Sequence, residues 1–412
     1  MTEQTTQIET DFKQLGVSAS ILNALKSIKI ETPTPIQIKS IPAALTGQDL
    51  IGVAQTGTGK TFAFGIPMIE RLAVNHGQGL ILLPTRELAL QVEENLRQLG
   101  GRLGLRTAAL IGGQAIGGQL QALRRNPHIF IATPGRLIDH LKRGSVKLDR
   151  VKVLVLDEAD MMFDMGFAPQ IEEIMKRVPK QRQTLLFSAT MPRAILRLAA
   201  AHMTLPIHIE VAPPGTTVEM VDQEMYVLRK EEKYARLEEI LKDHQGSVLV
   251  FTRTKYGAKH LAHNLKQGRH QAAEIHSNLS FNQRKESLAG FKSGKYRILI
   301  ATDIAARGID VSGIELVVNF DLPDNSEDYV HRIGRTARAG KAGKAISFAI
   351  PSQWKEIRDI ERLINKKLNL VKFAELEQAG TRPTFRRYGS TMSFGRSAAR
   401  RPGGMGGRRR GR

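Results

Sequence analysis

The sequence predicts an α/β chain of two tandem, doubly wound parallel-sheet domains followed by a disordered basic C-terminal tail. Three observations predict it. Short apolar runs alternate twice along the chain with amphipathic stretches, the pattern of strands buried between two helical layers. Ala212-Pro213-Pro214-Gly215-Thr216-Thr217 separates the two alternations and suits neither helix nor strand. Beyond Thr381 arginine and glycine dominate and no acid occurs, a composition that cannot bury a core. The expected boundaries are a first domain over 1–211, a linker over 212–221, a second domain over 222–368 and a tail over 369–412.

In chain order, an amphipathic helix centres on Ile21, Leu22, Leu25 and Ile28, with Phe12 isolated ahead of it. Pro33-Thr34-Pro35-Ile36-Gln37 breaks and restarts the chain. A buried strand over 50–53 then enters the glycine turn Ala54-Gln55-Thr56-Gly57-Thr58-Gly59-Lys60-Thr61, and a helix over 62–72 leaves it. Strands over 80–83, 107–111, 129–132, 151–156 and 184–187 follow, with a helix over 86–99 and further helical patterns between them. The second alternation has strands over 248–251, 272–275, 298–301, 316–320 and 345–350. Its helices run over 256–265, 282–291 and 354–368. It contains no second glycine turn of this kind.

Composition narrows the partner. The 412 residues include no cysteine, which excludes disulfides and thiolate metal sites, and the histidines show no ligand spacing. No apolar run reaches membrane-spanning length, and the polar N-terminus does not read as a signal peptide, so no membrane and a cytoplasmic location are expected. A formal charge of +21 points to a polyanion, nucleic acid first. Phe385, Tyr388 and Phe394 lie among the tail arginines, where aromatics stack bases and arginines follow phosphates.

The motifs carry the chemistry. A strand, a glycine turn and a helix N-terminus make an anion cradle, because backbone N–H groups converge on it and the helix dipole favours phosphate. Within it Lys60 reaches toward β/γ-phosphates and the Thr61 hydroxyl suits Mg²⁺. The acidic run Asp157-Glu158-Ala159-Asp160 ends a buried strand. Asp157 is placed there to hold Mg²⁺, and Glu158 to orient or deprotonate an attacking water. Ser188-Ala189-Thr190 ends the next strand and could face the same cleft. His331-Arg332-Ile333-Gly334-Arg335-Thr336-Ala337-Arg338 puts three arginines in the other domain, two of which could neutralise charge in phosphoryl transfer once the domains close. The Gln37 amide can pair with N6 and N7 of adenine, and Phe12 could stack on the ring.

Taken in order from Phe12 to Gly340, these motifs make the chain resemble the bacterial-type DEAD-box ATP-dependent RNA helicases of superfamily 2. Pro84-Thr85-Arg86-Glu87-Leu88, Gly112-Gly113, Thr133-Pro134-Gly135-Arg136, Val250-Phe251-Thr252-Arg253, Ala301-Thr302-Asp303 and Ala306-Arg307-Gly308-Ile309-Asp310 add to the resemblance. It implies two RecA-like domains, ATP and Mg²⁺ as cofactors and RNA as partner, as single strands and short duplexes. Residues 56 to 61, with Phe12, Gln37 and the ribose contact Asp310, are the implied nucleotide site. Arg335 and Arg338 are implied on the γ-phosphate. Asp160, Ser188 and Thr190 are implied to couple the carboxylates to RNA-driven closure. Arg86, Gly113, Thr133, Gly135, Arg136, Arg253, Arg284 and Thr302 line the implied RNA track.

The chain departs from the pattern in three places. Lys29-Ile30 stands where a Gly-aromatic pair is common, Phe281 where a Gln is usual, and Ala337 where Gly is common. The implied activity is an RNA-dependent ATPase that unwinds short duplexes locally and remodels RNA or RNA–protein complexes. Ribosomal particles and mRNA-decay machinery are open as settings, as is oligomeric state. An ATP-gated RNA clamp or annealing protein is the alternative from another class. A transporter ATPase is disfavoured by the lack of an LSGGQ-like signature.

Overall fold

The computed structural model describes residues 11–55, 57–211, 221–306, 314–336 and 343–372. The first half runs α1 (Ala19–Ser27), α2 (Pro35–Leu45), β1 (Leu50–Val53), α3 (Lys60–Asn75), β2 (Gln78–Leu82), α4 (Arg86–Gly100), β3 (Thr107–Leu110), α5 (Ile116–Arg124) and β4 (Ile129–Ala132). It continues with α6 (Pro134–Lys142), β5 (Val151–Leu156), α7 (Ala159–Asp164), α8 (Ala168–Met175), β6 (Gln183–Ser188), α9 (Arg193–His202) and β7 (Ile207–Glu210). The second half runs β8 (Val221–Val227), α10 (Glu232–Asp243), β9 (Val248–Phe251), α11 (Lys255–Gln267), β10 (Ala272–Ile275), α12 (Phe281–Lys292) and β11 (Ile298–Ala301). It ends with α13 (Asp303–Ala306), β12 (Leu316–Asn319), α14 (Ser326–Ile333), β13 (Gly343–Ala349), α15 (Trp354–Ile364) and β14 (Asn369–Lys372).

These strands form two seven-stranded parallel sheets, ordered β3-β4-β2-β5-β6-β1-β7 and β10-β11-β9-β12-β13-β8-β14. Each sheet is buried on both faces, so its central strands carry consecutive buried residues instead of alternating, as in Val153–Leu156 of β5 and Val248–Phe251 of β9. In β5, Val153 and Val155 join the apolar cluster that contains α3 and α4, while Leu154 and Leu156 join the one that contains α6 and α8. The second sheet divides its residues the same way, with α14 and α15 on one side and α10 and α11 on the other.

Three edge or near-edge strands escape the sequence reading. The short β7, the alternating β8 and the terminal β14 carry polar residues that a half-exposed strand tolerates, and none has a long apolar run. Two expected boundaries change as a result. Val221 begins β8 and does not close the linker, and residues 369–372 pair with β8 in place of opening the tail. Residues 212–220 and 373–412 lie outside the described residues. Among the described residues no helix is long and apolar enough to cross a membrane.

Candidate nucleotide and RNA site

Strand order sorts the motifs along one edge of the first sheet. The neighbours β5, β6 and β1 end in the acidic run, the Ser-Ala-Thr tripeptide and the glycine turn. The neighbours β3, β4 and β2 end in Gly112-Gly113, Thr133 and Arg86. Parallel strands present all their carboxyl ends on one side, where ligands of such sheets bind. The same edge therefore holds two adjacent clusters.

The first is built around Lys60, the first residue of α3. Gly57 (φ 86°) and Gly59 (φ 94°) take left-handed conformations that bring the chain into the helix. A Cβ at Gly59 would also collide with the Gln37 amide and the Thr34 hydroxyl. Buried Lys60 donates to Glu158 Oε1 at 2.7 Å and to the Ala54 carbonyl at 3.2 Å, with Asp157 Oδ1 3.9 Å away. Burial opposes its charge, but Glu158 and then Asp157 outweigh burial, and its pKa is raised. Burial also dominates at Asp157. Lys60 is engaged by Glu158, and the Asp157 carboxyl is pushed up to about 7.

Glu158 itself has φ 52°, an unfavourable left-handed conformation for a residue with a Cβ, at the sharp turn from β5 into α7. Such strain gathers at functional sites. Asp160 is tied to the end of β6. Its Oδ2 accepts from the Ala189 N–H (3.1 Å), the Thr190 N–H (2.8 Å) and the Thr190 hydroxyl (3.0 Å), and its own N–H donates to Ser188 Oγ (3.1 Å). The expected coupling trio is thus in mutual contact.

Gln37 is 2% exposed, and both ends of its amide are used within the protein. Its Oε1 accepts from the Thr34 N–H and its Nε2 donates to the Gly59 carbonyl, each at 2.9 Å. It therefore clamps the glycine turn, a link that sequence reasoning missed. Phe12 is buried in the apolar cluster at 3% exposure, so its ring serves packing here and presents no open face for stacking. Thr58 donates from its hydroxyl to the Gln55 carbonyl at 2.8 Å, and Thr61 is the second residue of α3. Thr56, Asp310 and Arg338 lie outside the described residues.

A narrow cleft is lined by Glu158, Asp160 and Thr190 of the first half and by Asn325, Asp328, His331 and Arg335 of the second. Of the three arginines in the His331 segment, the structure distinguishes two. Arg335 lines the cleft. Arg332 is 2% exposed and spent on Asp303, reaching its Oδ2 at 2.7 Å, and on the Asp321 carbonyl at 2.6 Å.

The second cluster gathers Arg86, at the start of α4, against Gly112 and Gly113. Gly113 (φ 75°) holds a left-handed backbone that strains any residue with a Cβ, and the Arg86 guanidinium lies against it. Thr133 occupies the N-cap position of α6, Gly135 has open space around it, and Arg136 Nη1 donates to the Gln114 carbonyl at 3.1 Å. In the second half, Arg253 and Thr302 follow β9 and β11 at the matching sheet edge. Arg284 contacts the first half. Its Nη2 donates to Glu87 Oε2 at 2.8 Å in a largely buried pair that bridges the halves. Phe281, one turn earlier on α12, belongs to the apolar cluster of the first half.

The DEAD/DEAH box helicase family model matches residues 34–198, and the helicase conserved C-terminal domain matches residues 232–340. The chain is 45% identical over 374 residues to DEAD-box ATP-dependent RNA helicase CshA of Geobacillus kaustophilus, covering 90% of this chain and 80% of the relative. It is 43% identical over 372 residues to the protein of that name from Bacillus subtilis, covering 89% and 75%. The chain belongs to the DEAD-box ATP-dependent RNA helicases. In solved structures this helicase resembles Mss116p bound to ssRNA and AMP-PNP, with TM-score 0.82, 29% identity, and 89% and 80% coverage. It also resembles Saccharomyces cerevisiae Dbp5 bound to RNA and ADP BeF3, with TM-score 0.78, 28% identity, and 89% and 97% coverage. The parallel sheets are those of tandem RecA-like domains.

Other supports in this helicase had no sequence signal. Buried His140 contacts Gln119 Oε1 at 3.0 Å, and Gln119 donates to the Ile111 carbonyl at 2.9 Å. With Arg136 on Gln114, this braces the Gly112-Gly113 loop at both ends. Lys233, 4% exposed, donates to Asp321 Oδ1 at 2.9 Å, while Asp321 Oδ2 accepts from the Arg253 N–H at 3.2 Å. A lone His, Gln or Lys in a helix is indistinguishable by spacing from a surface residue.

Proposed function

We propose that the protein is an RNA-dependent ATPase in which ATP and RNA jointly close two RecA-like domains, bending one strand and separating a short duplex locally. The observation that carries this is the cleft that sets Glu158 and Asp160 opposite His331 and Arg335. Lys60 is the first half's buried cation beside Glu158, and Arg335 adds a second from the other half as charge develops in phosphoryl transfer. Lys60 and the turn from Thr56 to Thr61 hold the phosphates. Glu158 orients and deprotonates the attacking water, a role consistent with its strained turn. Arg338 and Asp310 complete the nucleotide contacts in this reading.

The donor set fits Mg²⁺. At this site the buried carboxylates Asp157, Glu158 and Asp160 outnumber the buried Lys60, and an ion of this kind takes one or two carboxylates plus substrate phosphates instead of a full protein cage. Among the described residues no such cage occurs. Thr61 and Asp157 would hold the ion, and when bound it polarises the phosphates and lowers their charge. Gln37 is proposed to clamp Gly59 and to read the adenine edge with its remaining hydrogen-bonding capacity.

Coupling follows from the Asp160 knot. Movement of Ser188 or Thr190 on RNA binding is transmitted through Asp160 to Glu158, two residues earlier. Arg86, Gly113, Thr133, Gly135, Arg136, Arg253 and Thr302 are proposed to hold the RNA backbone, and Arg284 to hold the closed arrangement through Glu87. With RNA as partner, the cytoplasm is the proposed place of work and structured RNA, in ribosomal particles or decaying messages, the proposed target.

The test is ATPase activity with and without single-stranded RNA, beside strand displacement on a short duplex. RNA should raise turnover, and GTP should not replace ATP. Equal turnover without RNA would overturn the proposal, and comparable use of GTP would remove the adenine-reading role.

A further inference from the structure

The outer face of α11 has a composition unlike its neighbours. Its thirteen residues, Lys255–Gln267, contain no Asp or Glu. By contrast α10 and α15 mix both signs and tie them in pairs such as Arg236–Glu239 and Arg362–Asp359. A merely solvated helix face usually mixes charges in that way. The inward residues of α11 are Ala258, Leu261, Ala262 and Leu265, all buried. Tyr256, Lys259, His260, His263 and Lys266 are exposed, and their spacing puts them on one face.

That face begins where the proposed RNA track stops. Arg253 is 43% exposed and stands directly before the Thr254 cap of α11. Tyr256 is 69% exposed, with the Lys255 ammonium 5.3 Å from its ring centroid. An open aromatic ring next to cations is the pairing that stacks a base while following its phosphates. From Tyr256 to Lys266 the face extends about 15 Å along the helix.

We propose that the exposed face of α11, from Tyr256 to Lys266, is a second, sequence-independent RNA-binding surface that takes the strand running on from Arg253. This rests on the RNA reading above and adds a site to it. Tyr256 stacks one base, Lys259 and Lys266 meet successive phosphates, and the surface lengthens the footprint on long RNA without entering the nucleotide cleft. An acidic protein would satisfy the charge equally but leaves the exposed tyrosine beside Arg253 without a role.

The experiment compares the full chain with Lys259→Gln/Lys266→Gln, Tyr256→Ala and Tyr256→Phe. The probes are oligouridine RNAs of about eight and about thirty nucleotides, the shorter within the footprint of a single binding domain. Affinity is measured across a potassium chloride series, with RNA-free ATPase as the check on folding. On the long RNA the double variant should lower the log-log salt slope by about 1.4, at ~0.7 per phosphate contact. Tyr256→Ala should weaken binding about tenfold and Tyr256→Phe should restore it. The short RNA should bind all variants alike, and RNA-free turnover should be unchanged.

Long-RNA slopes and affinities equal to the parent would overturn the proposal. So would unchanged RNA binding accompanied by lost binding of polyglutamate, which would mark an acidic-protein site. A parent chain whose ATPase ignores both RNAs fails the function proposed above, a result separate from these binding curves.

Discussion

Replacing Glu158 by Gln keeps the shape of the side chain and removes the proton acceptor. Turnover should fall by roughly 10²- to 10⁴-fold, the range of general-base contributions, while ATP and RNA binding persist. Single-turnover hydrolysis and equilibrium binding check this, and parental hydrolysis by the variant would remove Glu158 from the chemistry. Asp157 gives a pH signature. Its folded pKa is pushed up to about 7, whereas an unfolded aspartate titrates near 3.9. Between about pH 4 and pH 7 the folded chain therefore holds more of this proton than the unfolded chain. The Asp157 share of stability is present at acid pH and lost as pH rises through 7. In chelator, Asp157→Asn should lose less of its urea midpoint than the parent between about pH 5 and pH 7.5. Equal losses would show that this carboxyl carries no proton in that window. At this scale the sequence revealed residue types well, because Lys60, Asp157 and Glu158 follow apolar strands in recognisable order. It could not reveal that Gln37 spends both amide ends inside the protein, or that Arg332 is consumed by Asp303 while Arg335 lines the cleft. The Gln37 clamp on Gly59 and the Arg332 pair with Asp303 depend on contacts between residues far apart in the chain.

Among elements, the turn into α3 is the most constrained. Gly59→Ala meets a left-handed backbone and a collision with Gln37 and Thr34 together. The left-handed conformation alone costs about 1–2 kcal/mol, and relief of the clash moves the clamp. Nucleotide affinity should drop more than tenfold with little change in RNA binding by the apo protein, as titration calorimetry would show. Parental affinity would mean that the turn adapts. Central elements such as β1, β5 and β6 were legible because burial on both faces gives each a run of consecutive apolar residues, Val153–Leu156 in β5 and Leu185–Phe187 in β6. The edge elements β7 and β14 were not, since among the described residues one side of each has no further strand and its residues are mixed. The Asp160 contacts to Ala189 and Thr190 were equally hidden. They exist because β5 and β6 are adjacent in the sheet, a fact about strand order that local periodicity does not contain.

For the whole molecule, the bridge from Glu87 to Arg284 tests whether the halves act together. Each partner is largely buried, so removing one leaves a charge without its counterion. Glu87→Ala and Arg284→Ala should each depress RNA-stimulated turnover several-fold, and the double variant should be no worse than the poorer single, the mark of coupled residues. Additive losses would make them independent. A chain ending near Val211 should still bind nucleotide weakly but show no RNA stimulation, since Arg335 is gone. Strong stimulation there would contradict a site built from two halves. The two sheets also share one strand order, with β8 in the place of β1 and each later strand matching in turn. Two sheets with one strand order are a single plan used twice. Where the first copy has its glycine turn after β1, the second has Leu228-Arg229-Lys230-Glu231 after β8, with no glycine at all. One half carries the glycine turn, and its counterpart carries Arg335 on the far side of the cleft.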